Sequence, residues 1–347
     1  MARSILVMIP MVALAALSWQ PLANAESQVK IQEVGSLAQV KPAELKPNVI
    51  IFTDHKKDEL VDPATGLVRF EDWTKANPLQ ARTLSLYPGY SEPKVMGNID
   101  GVTKSYVQKL SMYVVEARFV LPKAADGVNL ASYVAVPFLA KIDPSIQHHA
   151  ITASDVIPAN NPDYAYNKNP DRAWCAGSDQ TICIQSKYKL EGKLPSGIYL
   201  VNQLTEGKKH ADYLEFQSEL RVVPQADINQ QDLKKLTGLD TPIAGVLEQN
   251  IFYVNQVMDF GRFVAVLQPH PTDQSQSVVT TYMSLAIKTK TIDRKKEFER
   301  VPVLRNLVPG QLLMGNSSFN TGTSLSAGLP SYTRNQIRAI ADIMTRG

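Results

Sequence analysis

Two long runs of alternating residues constrain this chain more than any other feature. From Cys183 onward, Ile184, Ser186, Tyr188, Leu190 and Leu194 fall on one side, and Gln185, Lys187, Lys189, Glu191 and Lys193 fall on the other. A repeat of two is the period of a β-strand with one face buried. The split recurs between Tyr213 and Val222, where Leu214, Phe216, Ser218, Leu220 and Val222 oppose Tyr213, Glu215, Gln217, Glu219 and Arg221. The polar face of the first run is mainly basic and that of the second mainly acidic. Opposite charges on neighbouring strands favour pairing, so the two runs are expected to form an antiparallel pair.

The chain's two cysteines, Cys175 and Cys183, stand at the entrance to this pair. Their state depends on compartment, and the amino terminus speaks to that. One basic residue, Arg3, precedes an apolar run from Ile5 to Trp19, followed by small residues at Ala23 and Ala25. This is the layout of a secretory signal cleaved before Glu26. The run is short for a spanning helix, which needs about 20 residues, and it contains Pro10. No transmembrane segment is expected in the mature chain, which is placed in the periplasm or outside the cell. In such a compartment the two cysteines form a disulfide by default. Closing their nine-residue loop stabilises a fold by about 2.5 kcal/mol in the chain-entropy model. A metal or redox pair calls for a C-x-x-C spacing or a nearby histidine, and neither is present.

Other strands follow the same logic. Tyr113, Val115, Ala117, Phe119 and Leu121 share one face, with Glu116 and Arg118 on the other. A second strand is expected over Tyr133 to Lys141, paired with the first as a hairpin. Phe263 to Leu267 and Val278 to Lys288 predict another hairpin, whereas the apolar residues of Val246 to Met258 fit neither period. Asp227 to Thr237 predicts a helix capped by Gly238. At the carboxyl end, Ile337, Ile340, Ala341 and Met344 at i, i+3, i+4 and i+7 make the apolar stripe of a packed helix. A glycine-rich loop is expected just before it. Regular structure should be sparse between His55 and Pro93, where turn signals are dense.

The fold class read from these elements is α+β: mainly antiparallel β-sheet with long strands and a packed C-terminal helix. A curved sheet gripping one helix makes a natural apolar cavity. By segment, residues 1–25 are the signal and 26–112 an extended, turn-rich region. Residues 113–224 form an antiparallel β region holding the disulfide. Residues 225–347 carry a β-hairpin and the C-terminal helix, and are readable as one continuous domain with the segment before them.

No catalytic motif stands out, so the leaning is towards a non-enzyme that needs no cofactor. The nearest approach to a nucleophile elbow is S-L-S-A-G around Ser326, which lacks the leading glycine that the strained turn requires. Of five histidines, only His148 and His149 are adjacent, and neighbours on a strand point to opposite faces. No metal site is expected. With 36 basic and 33 acidic residues, near-neutrality argues against a nucleic-acid partner. A local excess of basic residues from Lys288 to Arg305 suits anionic glycan or lipid headgroups, or simply a solvated connector. The most suggestive polar stretch is Asn160 to Trp174. There Tyr164 and Tyr166 can stack on a sugar ring while Asn167, Asn169 and Asp171 orient its hydroxyls; the plain alternative is a loop ordered by Asx turns. The leading expectation is an exported cell-envelope protein binding a lipid-like or glycan ligand. The alternatives are an exported hydrolase with a site assembled only in the fold, and a structural or assembly factor.

Overall fold

The computed structural model describes residues 29–54, 59–63, 66–84, 94–99, 101–156, 175, 180–189, 213–255, 258–290, 293 and 325–346. In chain order, the first half contains β1 (Lys30–Glu33), β2 (Val49–Asp54), β3 (Val61–Asp62), β4 (Leu67–Arg69), α1 (Phe70–Ala76), α2 (Pro78–Leu84), β5 (Lys94–Ile99), β6 (Val102–Val107), β7 (Leu110–Leu121), α3 (Val136–Ile142) and β8 (Ile146–Ile151). The second half contains β9 (Thr181–Lys189), β10 (Tyr213–Val222), α4 (Gln230–Thr237), β11 (Gly245–Val254), β12 (Met258–Pro269), β13 (Ser277–Lys288) and α5 (Leu325–Arg346). The α+β reading therefore holds. An 11-stranded sheet runs in the order β1-β2-β7-β13-β12-β11-β10-β9-β8, with β3 and β4 off this path. Every pairing in it is antiparallel except that of β1 with β2. Strands β5 and β6 form a separate hairpin.

The charge-complementary runs pair as expected. Strand β9 lies against β10 with Lys187 opposite Glu215 and Ile184 opposite Ser218, and the Lys187 ammonium sits 3.9 Å from the centre of the Tyr213 ring. Strands β12 and β13 form the expected hairpin. His270 braces its turn by accepting the backbone N–H groups of Thr272 and Asp273 on Nδ1, at 3.3 and 3.2 Å.

Three expectations need correction. Tyr133 to Lys141 is no strand: its centre is helix α3, with Pro137 in the first turn. Proline costs nothing there because the first helical N–H groups have no partner, whereas in a strand it would break the ladder. The partners of β7 are instead β13, β2 and the short β4. Helix α5 starts at Leu325, inside the stretch expected to be a glycine-rich loop. Helices α1 and α2 stand where turn signals implied little regular structure, and they bury Phe70, Trp73 and Ala81.

The sheet is covered on both faces. On one, here called convex, Met112, Val114, Val264, Val266, Tyr282 and Ala286 pack with Phe70 and Trp73 of α1, Ala81 of α2 and Leu233 of α4. Helix α4 is tied down at both ends. The Asn229 side chain accepts the Asp232 N–H at 3.0 Å, and Gly238 takes a left-handed φ of 68°, which suits glycine. Arg118 then locks this layer to the sheet. Buried to 1% exposure, its guanidinium donates to Thr280 Oγ1 at 3.1 Å, to the Leu37 carbonyl at 3.3 Å and to the Thr237 carbonyl. The last is the carboxyl end of α4, where a helix presents its negative pole. Burial lowers the pKa of Arg118, against the raising influence of Tyr282 and Glu116.

Candidate functional site

The opposite, concave face is shaped by α5. Arg334 on this helix pairs with Glu33 of β1, at one end of the strand order, and lies over the ring of Phe52 on β2. Gln336, two residues on, donates to Asp143 at 3.2 Å. Asp143 caps α3, which packs on β8 at the other end of the strand order. A sheet whose two terminal strands are tethered within one turn of a single helix must curl around that helix. The stripe Ile337, Ile340, Ala341 and Met344 is buried against the inner face, together with Phe138 and Leu139 of α3.

Directly paired residues of neighbouring strands share a face, so the register fixes what lines the inside. Across β7, β13, β12 and β11 run Tyr113, Leu285, Gly261 and Ile251, and beside them Val115, Met283, Phe263 and Gln249. Gly261 has a packing reason. A Cβ there would come within 2.9 Å of side-chain carbons of both Ile251 and Leu285. Most of this face is tightly buried, yet Gln249, Ile251 and Met283, on interior strands, remain partly exposed. Ile182, Tyr188 and Leu214 on β9 and β10 are partly exposed as well. These side chains are less closely packed than the rest of the same face.

A diagonal of polar groups crosses this apolar lining. Gln249 on β11 donates its amide to Ser218 Oγ on β10 at 3.0 Å. On β9, Ser186 Oγ lies 2.8 Å from Nδ1 of His148, which faces it from β8. His148 Nε2 is buried with no hydrogen-bond partner among the described residues. Burial pushes the His148 pKa down, against a raising influence from Asp143, and His149 lowers it further. At neutral pH the ring is therefore uncharged. Burial also raises the Tyr332 phenol, with Asp143 adding to the effect.

Among the described residues of β7 to β13, no paired position on the concave face holds Lys, Arg, Asp or Glu. The charged residues at paired positions of β10 to β12 lie on the convex side. There Glu248 pairs with Arg262 at 2.6 Å and with Arg221. Cys175 and Cys183 are joined as a disulfide and pack on the same convex side with Val156 and Phe252. Glu219 accepts the Cys175 N–H at 2.9 Å, where Cys175 holds a φ of 56°. The three side chains lie close enough to suggest a metal site, but bonded sulfurs offer no thiolate, and thiolate is the ligating form.

The residues singled out for a sugar, Tyr164, Tyr166, Asn167, Asn169 and Asp171, lie outside the described residues, as does most of the basic stretch from Lys288 to Arg305. Ser326 falls in the first turn of α5. His148 and His149 point to opposite faces, His149 opposite Gln185 on the convex side. The alternation did place Ser186 and Ser218 among apolar residues. Gln249 escaped notice because β11 carries an irregularity opposite Gln217 and Ser218. Phe252 and Tyr253 there fall on the same side, which breaks the period of two.

No family model matches the sequence, and no curated protein matches it either. Among solved structures, the Zhui aromatase/cyclase from Streptomyces sp. R1128 aligns at 9% identity over 68% of this chain and 94% of its own, with a TM-score of 0.33. Ara h 8.0201 aligns at 8% identity over 68% of this chain and 99% of its own, with a TM-score of 0.31. Norcoclaurine synthase from Thalictrum flavum, in complex with dopamine and hydroxybenzaldehyde, aligns at 8% identity over 68% and 87%, with a TM-score of 0.28. Likeness at this level says nothing about a shared ligand or reaction.

Proposed function

We propose that this chain is an exported, non-catalytic binding protein of the cell envelope that holds a lipid-like ligand between the concave sheet face and α5. The observation that carries the reading is the partial exposure of Gln249, Ile251 and Met283 on interior strands of the concave face. A face built only for stability would bury these residues, because close packing is what makes apolar side chains stabilise a fold. The lining is mostly aliphatic, and apolar surface of this kind favours a hydrocarbon over a glycan, whose many hydroxyls require many polar partners. No described helix is long and apolar enough to cross a membrane, which suits a protein that carries an apolar molecule rather than residing among lipids.

Native mass spectrometry of gently purified protein is expected to show an added mass that organic extraction removes. The neutral fluorophore N-phenyl-1-naphthylamine should bind the extracted chain. Replacing Met283 or Ile251 by Trp should fill the space and abolish its binding while the protein stays folded. Alanine at both Tyr164 and Tyr166 should leave it unchanged, since that loop belongs to the glycan reading. A probe that binds the tryptophan variants as well as the unmodified chain would remove the concave site from consideration.

A further inference from the structure

We infer that the ligand enters this space without a charge, and that its one polar group is read by the side-chain amide of Gln249 held in place by Ser218. The inference rests on the ligand-binding reading above and narrows it to a chemical class: an apolar molecule bearing a hydroxyl or carbonyl. The first reason is electrostatic. No paired concave position of β7 to β13 carries a charged side chain among the described residues, and His148, the one imidazole there, is kept neutral by burial. Beside α5, Arg334 is paired with Glu33 and Asp143 accepts from Gln336. A carboxylate or phosphate drawn against these strands would lose its hydration, and the cation named on this side, Arg334, is engaged by Glu33.

The second reason is the amide itself. Gln249 stands on an interior strand with Leu247 and Ile251 beside it on the same face, Leu220 opposite on β10 and Phe263 opposite on β12. A polar side chain in such surroundings is costly unless satisfied. Only part of it is satisfied here. One end bonds the buried Ser218 hydroxyl at 3.0 Å, and the other has no hydrogen-bond partner among the described residues, although the side chain is partly exposed. Whichever way the amide is turned, one polar end stays on Ser218 and the other is left without a partner among the described residues, since the serine hydroxyl both donates and accepts. A ligand hydroxyl matches either orientation.

The test uses the mature chain, N-phenyl-1-naphthylamine as reporter, and two competitors of equal chain length, oleyl alcohol and oleate, at about pH 8 where oleate is ionised. Oleyl alcohol should displace the reporter at roughly tenfold lower concentration than oleate. Gln249→Leu should weaken oleyl alcohol about tenfold, the worth of one neutral hydrogen bond at the upper end. The reporter's own affinity is measured for each variant, so that displacement by the alcohol is compared at equal reporter occupancy. Ser218→Ala should weaken the alcohol by a smaller factor, because the amide is kept but no longer held. Circular dichroism and a thermal melt confirm that each variant folds, and the alcohol-against-oleate comparison needs no variant. Equal affinity for oleate and oleyl alcohol overturns the inference, as does unchanged alcohol affinity in Gln249→Leu, while binding of the reporter leaves the broader reading standing. If the unmodified chain fails to bind the reporter, the broader reading falls and the inference with it.

Discussion

The convex side of the sheet and its concave side are made from the same strands and finished to different ends. On the convex side Phe70, Trp73, Val266 and Tyr282 are buried to 2% exposure or less. Charges are present there but engaged: Arg118 with three oxygen acceptors, and Glu248 with two arginines. On the concave side charges are missing from the paired positions of β7 to β13, and apolar side chains in the middle of the sheet stay partly exposed. A dry face tolerates charge when every charge has a partner. A face kept open must do without charge, because a cation or anion inside it would have to be paired by whatever enters. The convex layer is thus read as the source of stability, and the concave layer as the place where some stability is given up for room.

Stability measurements can break that contrast. The largest effect is expected from Trp73→Ala, which should cost about 3 to 5 kcal/mol, as for other buried aromatics. Met283→Ala on the open face should cost about 1 kcal/mol, because a side chain already partly exposed leaves little new cavity. Urea titrations of the two variants test this directly. Equal losses would mean that both faces are packed alike. Arg118→Met comes next, at about 2 to 4 kcal/mol, since it leaves the buried Leu37 and Thr237 carbonyls without their donor. It should loosen α4 ahead of the rest, visible as faster amide exchange over residues 230–237. Cys183→Ser should cost about 2.5 kcal/mol from loop entropy. Because the disulfide packs on the convex side, binding of a neutral fluorophore to the folded variant should not change.

The smallest effects are electrostatic, and they separate the two sides by pH. His148, on the concave face, has its pKa held below the ordinary 6.5 by burial. A histidine kept neutral in the folded state contributes stability that is present above pH 6.5 and is lost as pH falls through its lowered value. Glu71, on α1, is held down to about 2 by the Lys109 ammonium first and Lys75 second. Its contribution is present above the ordinary 4.5 and is lost as pH falls towards 2. Thermal melts of His148→Gln should flatten the higher window, and those of Glu71→Gln the lower one. Added salt should diminish the Glu71 effect, since that ion pair is exposed, and spare the His148 effect, which comes mainly from burial.

Local chemistry already written in the sequence accounts for a good part of this fold. The alternation of Ile184 to Tyr188 against that of Leu214 to Val222, with opposite charges on their polar faces, was enough to specify the β9–β10 pair. The four-residue stripe from Ile337 to Met344 specified a packed helix, and two cysteines beside a strand specified the disulfide. These features are legible because each depends on neighbours a few residues away or on a period that repeats. What covers each face of a strand is not local. Strand β7 is buried on both sides because layers from distant parts of the chain meet it there, so its pattern cannot say which side is dry. The irregularity in β11 hid the inward direction of Gln249, and Pro137 could be read as a helix start only once α3 was seen against β8. The curl of the sheet arises because Glu33 and Asp143, 110 positions apart, are held by the same turn of α5. A period of two shows that a strand has two unlike faces, but the side on which room remains is decided by how far the whole sheet curls, and that is set by contacts no local pattern contains.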